Sequence, residues 1–445
     1  MDRYTDYRTK HVLARFFTAI DLKCIVAILC VELGMLLMAA YKGQGRSYMP
    51  VALILMAYTI VGCLIATWAK ADKKLFVIII VLLNLGFMVQ QIQDGQQAAI
   101  SDLLMKLSIA LGTAFFVALL YSKIAGWMEK DIVILGMMLL QLLISGAMLL
   151  AGQMVGRNGA QGAIISMKGI TPFEFVKILY IFVAAGLLCK STETIRVLKW
   201  SINRSVLLAI HTAVLSLLFA LCSELGTLLI IYVTALLMLY MFAPRKKWIF
   251  VLGIASAAGL LFLWVVCEKL LFPLMLQGRL GLPGIVTKLV RRFGVVFHPE
   301  SYLNNYGYQG TRGLMAIASG GWLGIGTERH RIGLPEANND FMFANVIETC
   351  GLLIGIVLVV FILAFLKRTM TIAEQCADSY LKGVASGIAV VIVVEAVVHI
   401  GYNMAMLPIT GIPLYFLSQG FSAIITSMCL VAILLEISTE NRKEA

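Results

Sequence analysis

Charged residues are scarce in this sequence. Of its 445 residues, 24 are Asp or Glu and 36 are Lys or Arg, so 13% of the chain is charged and 60% is hydrophobic. A mean hydropathy of +0.92 is far above what the core of a soluble protein requires. The charges stand between apolar runs of about 20 residues, the length of a membrane-crossing α-helix and too long for a barrel strand. The composition predicts an all-α, polytopic transmembrane helical bundle.

The sequence also has no CxxC pair. Its nine cysteines stand singly, mostly within apolar runs, at positions 24, 30, 63, 189, 222, 267, 350, 376 and 429. This spacing is typical of small buried hydrophobes and argues against disulfides or a zinc site. No soluble basic domain is evident, so anionic lipid and the positive-inside rule explain the net charge of +12 better than nucleic acid does.

About twelve apolar runs are long enough to be membrane spans. We place them at residues 22–41, 49–68, 74–92, 103–122, 132–151, 172–189, 204–222, 225–242, 248–270, 342–366, 380–402 and 412–436. Lys and Arg gather in alternate short loops, whereas residues 93–102 and 403–411 on the other side have none. By the positive-inside rule, both termini are therefore cytoplasmic.

Two segments on the predicted outer side are too long to be turns, residues 152–171 and 271–341. The second contains a glycine-rich stretch, Ile317–Gly326, where the backbone can approach a phosphate or turn sharply. No Gly-Lys-Ser/Thr follows, which argues against a nucleotide P-loop. Forked guanidinium groups in this loop fit a pyrophosphate ligand, or else a headgroup-facing rim. These groups belong to Arg291, Arg292, Arg312, Arg329 and Arg331.

Two further stretches border this predicted cavity. Glu336 and Asp340 come directly before a span, so a helix that begins at Pro335 would carry both acids on one face, where its dipole favours them. The segment Pro408–Pro413 is rich in Pro and Gly, and broken backbone at membrane depth survives only where protein or a watery cavity satisfies it. The residues alone indicate a helical bundle with an outward polar cavity that is basic, glycine-rich and bordered by acids.

Ionisable residues also stand one helical turn apart inside predicted spans. Glu174 and Lys177 are separated by three positions, and Glu395 and His399 by four. Such groups are expensive in hydrocarbon, so they predict either a functional role or mutual pairing that ties helices together.

Five ordered stretches resemble the SEDS proteins, the FtsW, RodA and SpoVE family, over roughly residues 130–440. They are LPITGIPLYFLSQG (407–420), LPEANNDFMF (334–343), GYQGTRGLMAIASGG (307–321), SELGT (223–227) and TPFEFVK (171–177). The family norm is ten spans, so the resemblance implies two extra N-terminal spans in a bacterial cytoplasmic membrane protein. The expected divisions are a cytoplasmic segment (1–21), four N-terminal spans (22–129), core spans (130–270), a large extracellular loop with re-entrant or short helical segments (271–341), C-terminal spans (342–436) and a cytoplasmic tail (437–445).

The resemblance implies an enzyme of cell wall synthesis. Family members polymerise lipid II, a lipid-linked disaccharide-peptide, into glycan strands for division, shape or sporulation. They usually act with a single-pass class B penicillin-binding transpeptidase and other cell-wall synthesis proteins. A base removes the proton of the acceptor hydroxyl, which attacks the donor anomeric carbon with inversion while the lipid pyrophosphate departs. Cations suit that leaving group, among them a divalent ion such as magnesium or manganese.

The sequence departs from the family at the position of its essential Asp. In a pattern like DPExDP before GYQ, Tyr302 stands at that Asp position and Glu300 at the Glu position, so Glu300 is the expected stand-in base beside Tyr302. Glu395 and His399 stand where the family has Gln and Asn, and the loop at 158–163 lacks the family's Arg and Trp. These departures leave two alternatives open, a non-catalytic lipid II-binding or division scaffold and a lipid II flippase.

Substrate contacts are expected first from Arg292, where the family also has Arg. The remaining expected contacts are Arg312, Ser319, Gly320, Gly321, Glu336, Asp340, Lys177 and Glu174. No protein ligand for a metal is assigned.

Overall fold

In a computed structural model the chain forms a bundle of α-helices. The structure describes residues 53–62, 72–94, 99–157, 171–190, 192–197, 200–244, 246–271, 273–274, 292, 296, 307–326 and 332–444. Within them the helices are α1 (Leu53–Gly62), α2 (Lys73–Asp94), α3 (Ala99–Met128), α4 (Asp131–Arg157), α5 (Pro172–Leu188), α6 (Arg204–Leu221), α7 (Leu225–Phe242), α8 (Lys246–Val266, continued by a π-turn over Cys267–Leu271), α9 (Tyr308–Gly320), α10 (Met342–Cys350), α11 (Leu352–Gln375), α12 (Ser379–Asn403) and α13 (Phe421–Glu444). The predicted all-α, polytopic fold is confirmed.

Nine helices of the described residues are long and apolar enough to cross a membrane. They are α2, α3, α4, α6, α7, α8, α11, α12 and α13. The 17-residue α5 fills the predicted span at 172–189. Of the predicted span at 49–68 only α1 is described, and the span at 22–41 lies outside the described residues. The chain is thus a multi-pass membrane protein, and the full count of twelve spans stays a prediction.

Three boundaries predicted from the sequence are wrong. The span at 342–366 is two helices, broken at Gly351, whose φ of 90° and close approach to the Trp322 carbonyl oxygen (2.3 Å from an added β-carbon) exclude a side chain. The last span begins at Phe421 and not at 412, because residues 407–420 are irregular. No helix begins at Pro335: residues 335–340 form turns in which Glu336 has a φ of 52°, and α10 begins only at Met342.

Polar contacts between helices fix the middle of the bundle. The side chain of Gln141 on α4 donates to the carbonyl oxygen of Val176 on α5 at 3.0 Å and lies 2.8 Å from His211 Nε2 on α6. Helices in lipid lack a hydrophobic force between them, so such bonds and close packing hold them together. The central α5 and α12 are buried around most of their circumference, whereas α8 is exposed along its length, as expected of a lipid-facing helix.

Ion pairs stabilise the other end of the bundle, away from residues 407–420. Arg368 on α11 pairs with Asp72 before α2, and Arg204 at the start of α6 forms a forked pair with Asp131 at 2.8 and 3.0 Å. Beside them lies an antiparallel hairpin that the sequence did not predict, β1 (Thr194–Val197) with β2 (Trp200–Asn203).

Candidate active site

The segments 334–341 and 407–420 meet at one end of the bundle, and we call this meeting place the motif junction. The backbone N–H of Gln419 donates to the carbonyl oxygen of Asn338 at 2.7 Å. The Ser418 hydroxyl donates to the carbonyl oxygen of Asn339 at 2.9 Å and accepts from the Leu414 amide at 2.8 Å. Two stretches that are far apart in the sequence therefore form one hydrogen-bonded unit.

The end of α12 supports the motif junction from beneath. The Tyr402 hydroxyl lies 2.6 Å from the carbonyl oxygens of both Asp340 and Ile412, and its single proton can be donated to only one of them at a time. The side-chain amide of Asn403 donates to the carbonyl oxygen of Asp340 at 3.1 Å. Both segments of the junction are thus anchored to the same helix.

His399 has a structural role in this arrangement. Its Nε2 accepts from the backbone N–H of Phe343 at 3.3 Å, so the ring proton belongs on Nδ1, which donates to the carbonyl oxygen of Ile412 at 2.7 Å. Asn403 Oδ1 accepts from the Ala344 amide at 3.1 Å. Together these two side chains of α12 satisfy free amides in the first turn of α10.

The intramembrane ions form one buried group below the junction. Lys177 Nζ lies 2.8 Å from Glu174 and 3.0 Å from Glu395, and the Tyr415 hydroxyl donates to Glu174 at 2.7 Å. The predicted tie between helices is confirmed, but pairing of Glu395 with His399 is wrong, because Glu395 reaches across to α5. One cation between two carboxylates links α5, α12 and the segment 407–420.

Glu224 and Arg292 carry opposite charges that interact electrostatically beside the junction. Glu224 stands in the turn between α6 and α7, where burial raises its pKa and the charge of Arg292 opposes that rise. Burial likewise lowers the pKa of Arg292, with Glu224 acting in the opposite direction. Arg292 Nη1 is buried and has no hydrogen-bond partner among the described residues. A buried guanidinium nitrogen without an acceptor is a candidate anion contact.

The start of α7, directly after Glu224, packs against residues 410–412 of the junction. A β-carbon added at Gly226, at the start of α7, would lie 2.6 Å from a side-chain carbon of Ile412 and 3.2 Å from that of Thr410. On the other side, Asp340 Oδ2 lies 3.4 Å from where a β-carbon of Gly411 would stand. The start of α7 and the Asp340 carboxylate therefore flank the same short stretch of backbone.

Asp340 itself is a partly buried carboxylate at the edge of a cleft. Burial and the negative charge of Glu336 raise the pKa of Asp340 to about 6. The neighbouring cleft of about 350 Å³ is lined by Leu334, Glu336, Ala337, Asn338, Asn339, Gln419 and Gly420. The buried Oδ1 of Asn339 has no partner among the described residues. This corner combines an open cleft, an acid that titrates near neutral pH and an unsatisfied acceptor.

Other predicted contacts hold the protein together. Arg312 donates to the carbonyl oxygen of Gly333 at 2.7 Å and lies over the Tyr308 ring. The Ser319 hydroxyl donates to the carbonyl oxygen of Ala316 in its own helix at 2.9 Å.

The glycine-rich stretch approaches backbone of the protein itself. A β-carbon added at Gly320 would lie 2.2 Å from the Ile347 carbonyl oxygen, so α9 packs directly on α10. Gly321 follows with a φ of 52° and ends α9.

The expected catalytic pair, Glu300 and Tyr302, lies outside the described residues. Glu224 was missing from the predicted site, although the SELGT stretch that contains it was part of the resemblance and could have pointed to it. Among the described residues, no three His, Cys, Asp or Glu side chains are grouped so that they could hold a metal ion. The expected magnesium or manganese ion therefore has no three-ligand protein site in this part of the chain.

The sequence matches known proteins over the whole of this site. The model of the FtsW/RodA/SpoVE family, described as "Cell cycle protein", matches residues 73–443. The chain belongs to this family. The match begins at the predicted third span, earlier than the resemblance at 130 suggested, and the two predicted extra spans precede it.

Curated relatives of this family are similar to most of the chain. A probable peptidoglycan glycosyltransferase FtsW of Nitrosomonas europaea is 30% identical over 325 residues, 71% of this chain and 77% of that protein. The FtsW of Bacillus subtilis is 28% identical over 322 residues, 69% of this chain and 75% of that protein. Stage V sporulation protein E of the same organism is 29% identical over 327 residues, 71% of this chain and 80% of that protein.

A solved structure has the same fold. A chain in "Structural coordination of polymerization and crosslinking by a peptidoglycan synthase complex" covers 83% of this chain and 98% of its own length, with 21% sequence identity and a TM-score of 0.60. The family's polytopic helical architecture is therefore present here.

Proposed function

We propose that this protein is a glycosyltransferase that polymerises lipid II into glycan strands during cell wall synthesis. Its relatives from Nitrosomonas and Bacillus bear the name peptidoglycan glycosyltransferase. The observation that carries the proposal is the convergence of the stretches 223–227, 334–341 and 407–420 at one end of the bundle, with Arg292 buried beside them.

In this proposal the motif junction faces the outside of the bacterial cytoplasmic membrane and both termini are cytoplasmic. The Lys/Arg pattern of the short loops supports this orientation. A single-pass class B penicillin-binding transpeptidase is the proposed partner, because the similar solved chain comes from a complex that couples polymerisation and crosslinking.

The reaction needs a cation for the leaving pyrophosphate and a base for the attacking hydroxyl. Arg292 supplies the cation: its guanidinium keeps its charge at physiological pH, and its buried Nη1 has no hydrogen-bond partner among the described residues. Charge-assisted contacts of this kind stabilise the developing negative charge as the bond to the anomeric carbon breaks. A magnesium or manganese ion carried by the phosphates of the substrate stays a further prediction, and EDTA followed by readdition of either metal tests it.

Arg292→Ala tests the pyrophosphate contact. A charge-assisted hydrogen bond contributes about 1.5 to 3 kcal/mol, so this variant should bind lipid II roughly tenfold to a hundredfold more weakly. Arg292→Lys should recover part of the affinity, because a point charge replaces a forked donor.

Arg312→Ala is the matched control for that titration. Arg312 bonds to the Gly333 carbonyl oxygen, so its loss should lower the melting temperature of the ligand-free protein. Equal lipid II affinity for wild type and Arg292→Ala would remove Arg292 from the site.

A second candidate function is that of a non-catalytic lipid II-binding scaffold. Tyr302 at the position of the family's Asp favours it, since a phenol with an unperturbed pKa near 10 is a poor base. Purified protein incubated with lipid II, with and without its transpeptidase partner, separates the two: binding without strand formation supports the scaffold.

A further inference from the structure

Asp340 stands one residue before Phe341, the N-cap of α10, and its carboxylate does not cap that helix. Helix α10 begins two residues later, and its first amides attract acidic side chains. Those amides are taken by α12 instead: Phe343 N–H donates to His399 and Ala344 N–H donates to Asn403. No donor among the described residues bonds to the Asp340 carboxylate. Helix capping therefore does not explain why an acid stands at position 340.

The backbone around the Asp340 carboxylate is held firmly. The carbonyl oxygen of Asp340 lies 2.6 Å from the Tyr402 hydroxyl and 3.1 Å from the Asn403 amide nitrogen. The ring of Phe341 packs edge-on against Tyr402. The carboxylate faces Gly411, which has a φ of 70° and offers no side chain to bond with. A carboxylate on firmly held backbone, with no donor among the described residues, can accept from a group that arrives from outside.

The surroundings of Asp340 suit proton transfer near neutral pH. Its own turn forms one wall of the cleft, and burial together with the charge of Glu336 in that turn raises the pKa of Asp340. The other ionisable groups on the elements packed around it are Tyr308 and Arg312 on α9, Glu348 on α10, Tyr415, and Glu395, His399 and Tyr402 in the nearer half of α12. A general base works best with a pKa near the working pH.

We propose that Asp340 is the base of the polymerisation reaction, a carboxylate fixed where residues 334–341 meet residues 407–420. This inference rests on the proposed function and names the residue that replaces the family's Asp, lost here to Tyr302. Asp340 takes the proton of the acceptor sugar hydroxyl, and that oxygen forms a bond to the donor anomeric carbon. The bond from this carbon to the pyrophosphate oxygen breaks, the lipid pyrophosphate leaves with the electron pair, and Asp340 returns its proton to water.

Asp340→Asn and Glu300→Gln, compared in the lipid II polymerisation assay, distinguish the two candidate bases. Asp340→Asn should lower kcat about 10²- to 10⁴-fold while lipid II binding stays within about threefold of wild type. Asp340→Glu, which keeps the carboxylate, should recover part of the rate. Glu374→Gln, a change of an exposed carboxylate at the far end of α11, should leave the rate unchanged.

The pH profile gives a readout that a purely structural role would not move. In wild type, kcat/KM should rise with pH through about 6 and then level off, because the base must be deprotonated. Glu336→Gln removes the neighbouring negative charge, so the acidic limb should move to lower pH.

Each outcome bears on the assignment. If wild type and Asp340→Asn are equally active, Asp340 is not the base, while the proposed function stands. A loss of activity confined to Glu300→Gln leads to the same conclusion. If Asp340→Asn and Glu300→Gln both lose activity, the pH profile of Glu336→Gln decides between them. An acidic limb that stays at the wild-type pH overturns the assignment of Asp340 as the base, and a limb that moves to lower pH supports it. A wild type that binds lipid II but forms no strands with or without its partner overturns the proposed function itself.

Discussion

Asp340→Asn is expected to stabilise the folded protein at pH 7.5 even as it disables the reaction. Burial and Glu336 raise the pKa of Asp340 from 3.8 to about 6 in the folded state. The folded protein thus holds this proton more tightly than the unfolded chain does, and stability falls as pH rises from about 4 to about 6. That difference in pKa corresponds to about 3 kcal/mol as an upper limit, and partial solvent exposure lowers it to about 1 to 2 kcal/mol.

Thermal melts in detergent at pH 7.5 and pH 4.5 measure this effect. The variant should melt higher than wild type at pH 7.5, by roughly a few degrees, and the difference should shrink at pH 4.5, where wild-type Asp340 is largely protonated. Asp378→Ala is the matched control, because Asp378 caps α12 by accepting from the Tyr380 and Leu381 amides, and its loss should lower stability by about 1 kcal/mol. A variant that melts lower than wild type at pH 7.5 would mean that the Asp340 carboxylate makes a stabilising bond, against the reasoning above.

Three further predictions concern the bundle. Lys177→Met leaves two buried carboxylates without their cation and should cost about 3 to 5 kcal/mol in a melt, whereas Lys177→Met with Glu395→Gln should regain much of the loss; equal melting of single and double variants would contradict this. Gly351→Ala should sharply reduce the yield of folded protein, since the added carbon meets the Trp322 carbonyl oxygen; normal yield and melting would count against the break at Gly351. A cysteine at Gly95 should react with an impermeant reagent on intact cells, and labelling only after lysis would reverse the orientation.

The apolar runs of the sequence predicted the positions of most helices, but they did not predict where those helices break. The residues just before Gly351 include the polar Glu348 and Thr349, but the predicted span ran through them because apolar residues stand on both sides. The cause is tertiary, because the backbone near Trp322 comes close to Gly351. The late start of α13 was easier to predict from the sequence, since Pro413 and Gly420 stand in the predicted first turns of that span.

The sequence spacing of the buried charged residues did not predict which residues they bond with. Glu395 and His399 lie on adjacent turns of one helix, which suggested a mutual pair, yet packing directs Glu395 toward Lys177 on α5 and His399 toward α10. Spacing shows which residues share a face but not which helix that face meets. The motif stretches located the site itself, but spacing could not show that α12, and not Asp340, binds the first amides of α10.

Incubation of the purified chain with lipid II and its proposed class B transpeptidase partner, with the products resolved by length, shows whether this protein polymerises glycan strands. We expect a ladder of strands from wild type and from Glu374→Gln, and none above background from Asp340→Asn in the same time. Intact lipid II with the wild-type protein, bound but unpolymerised, would contradict the proposed function.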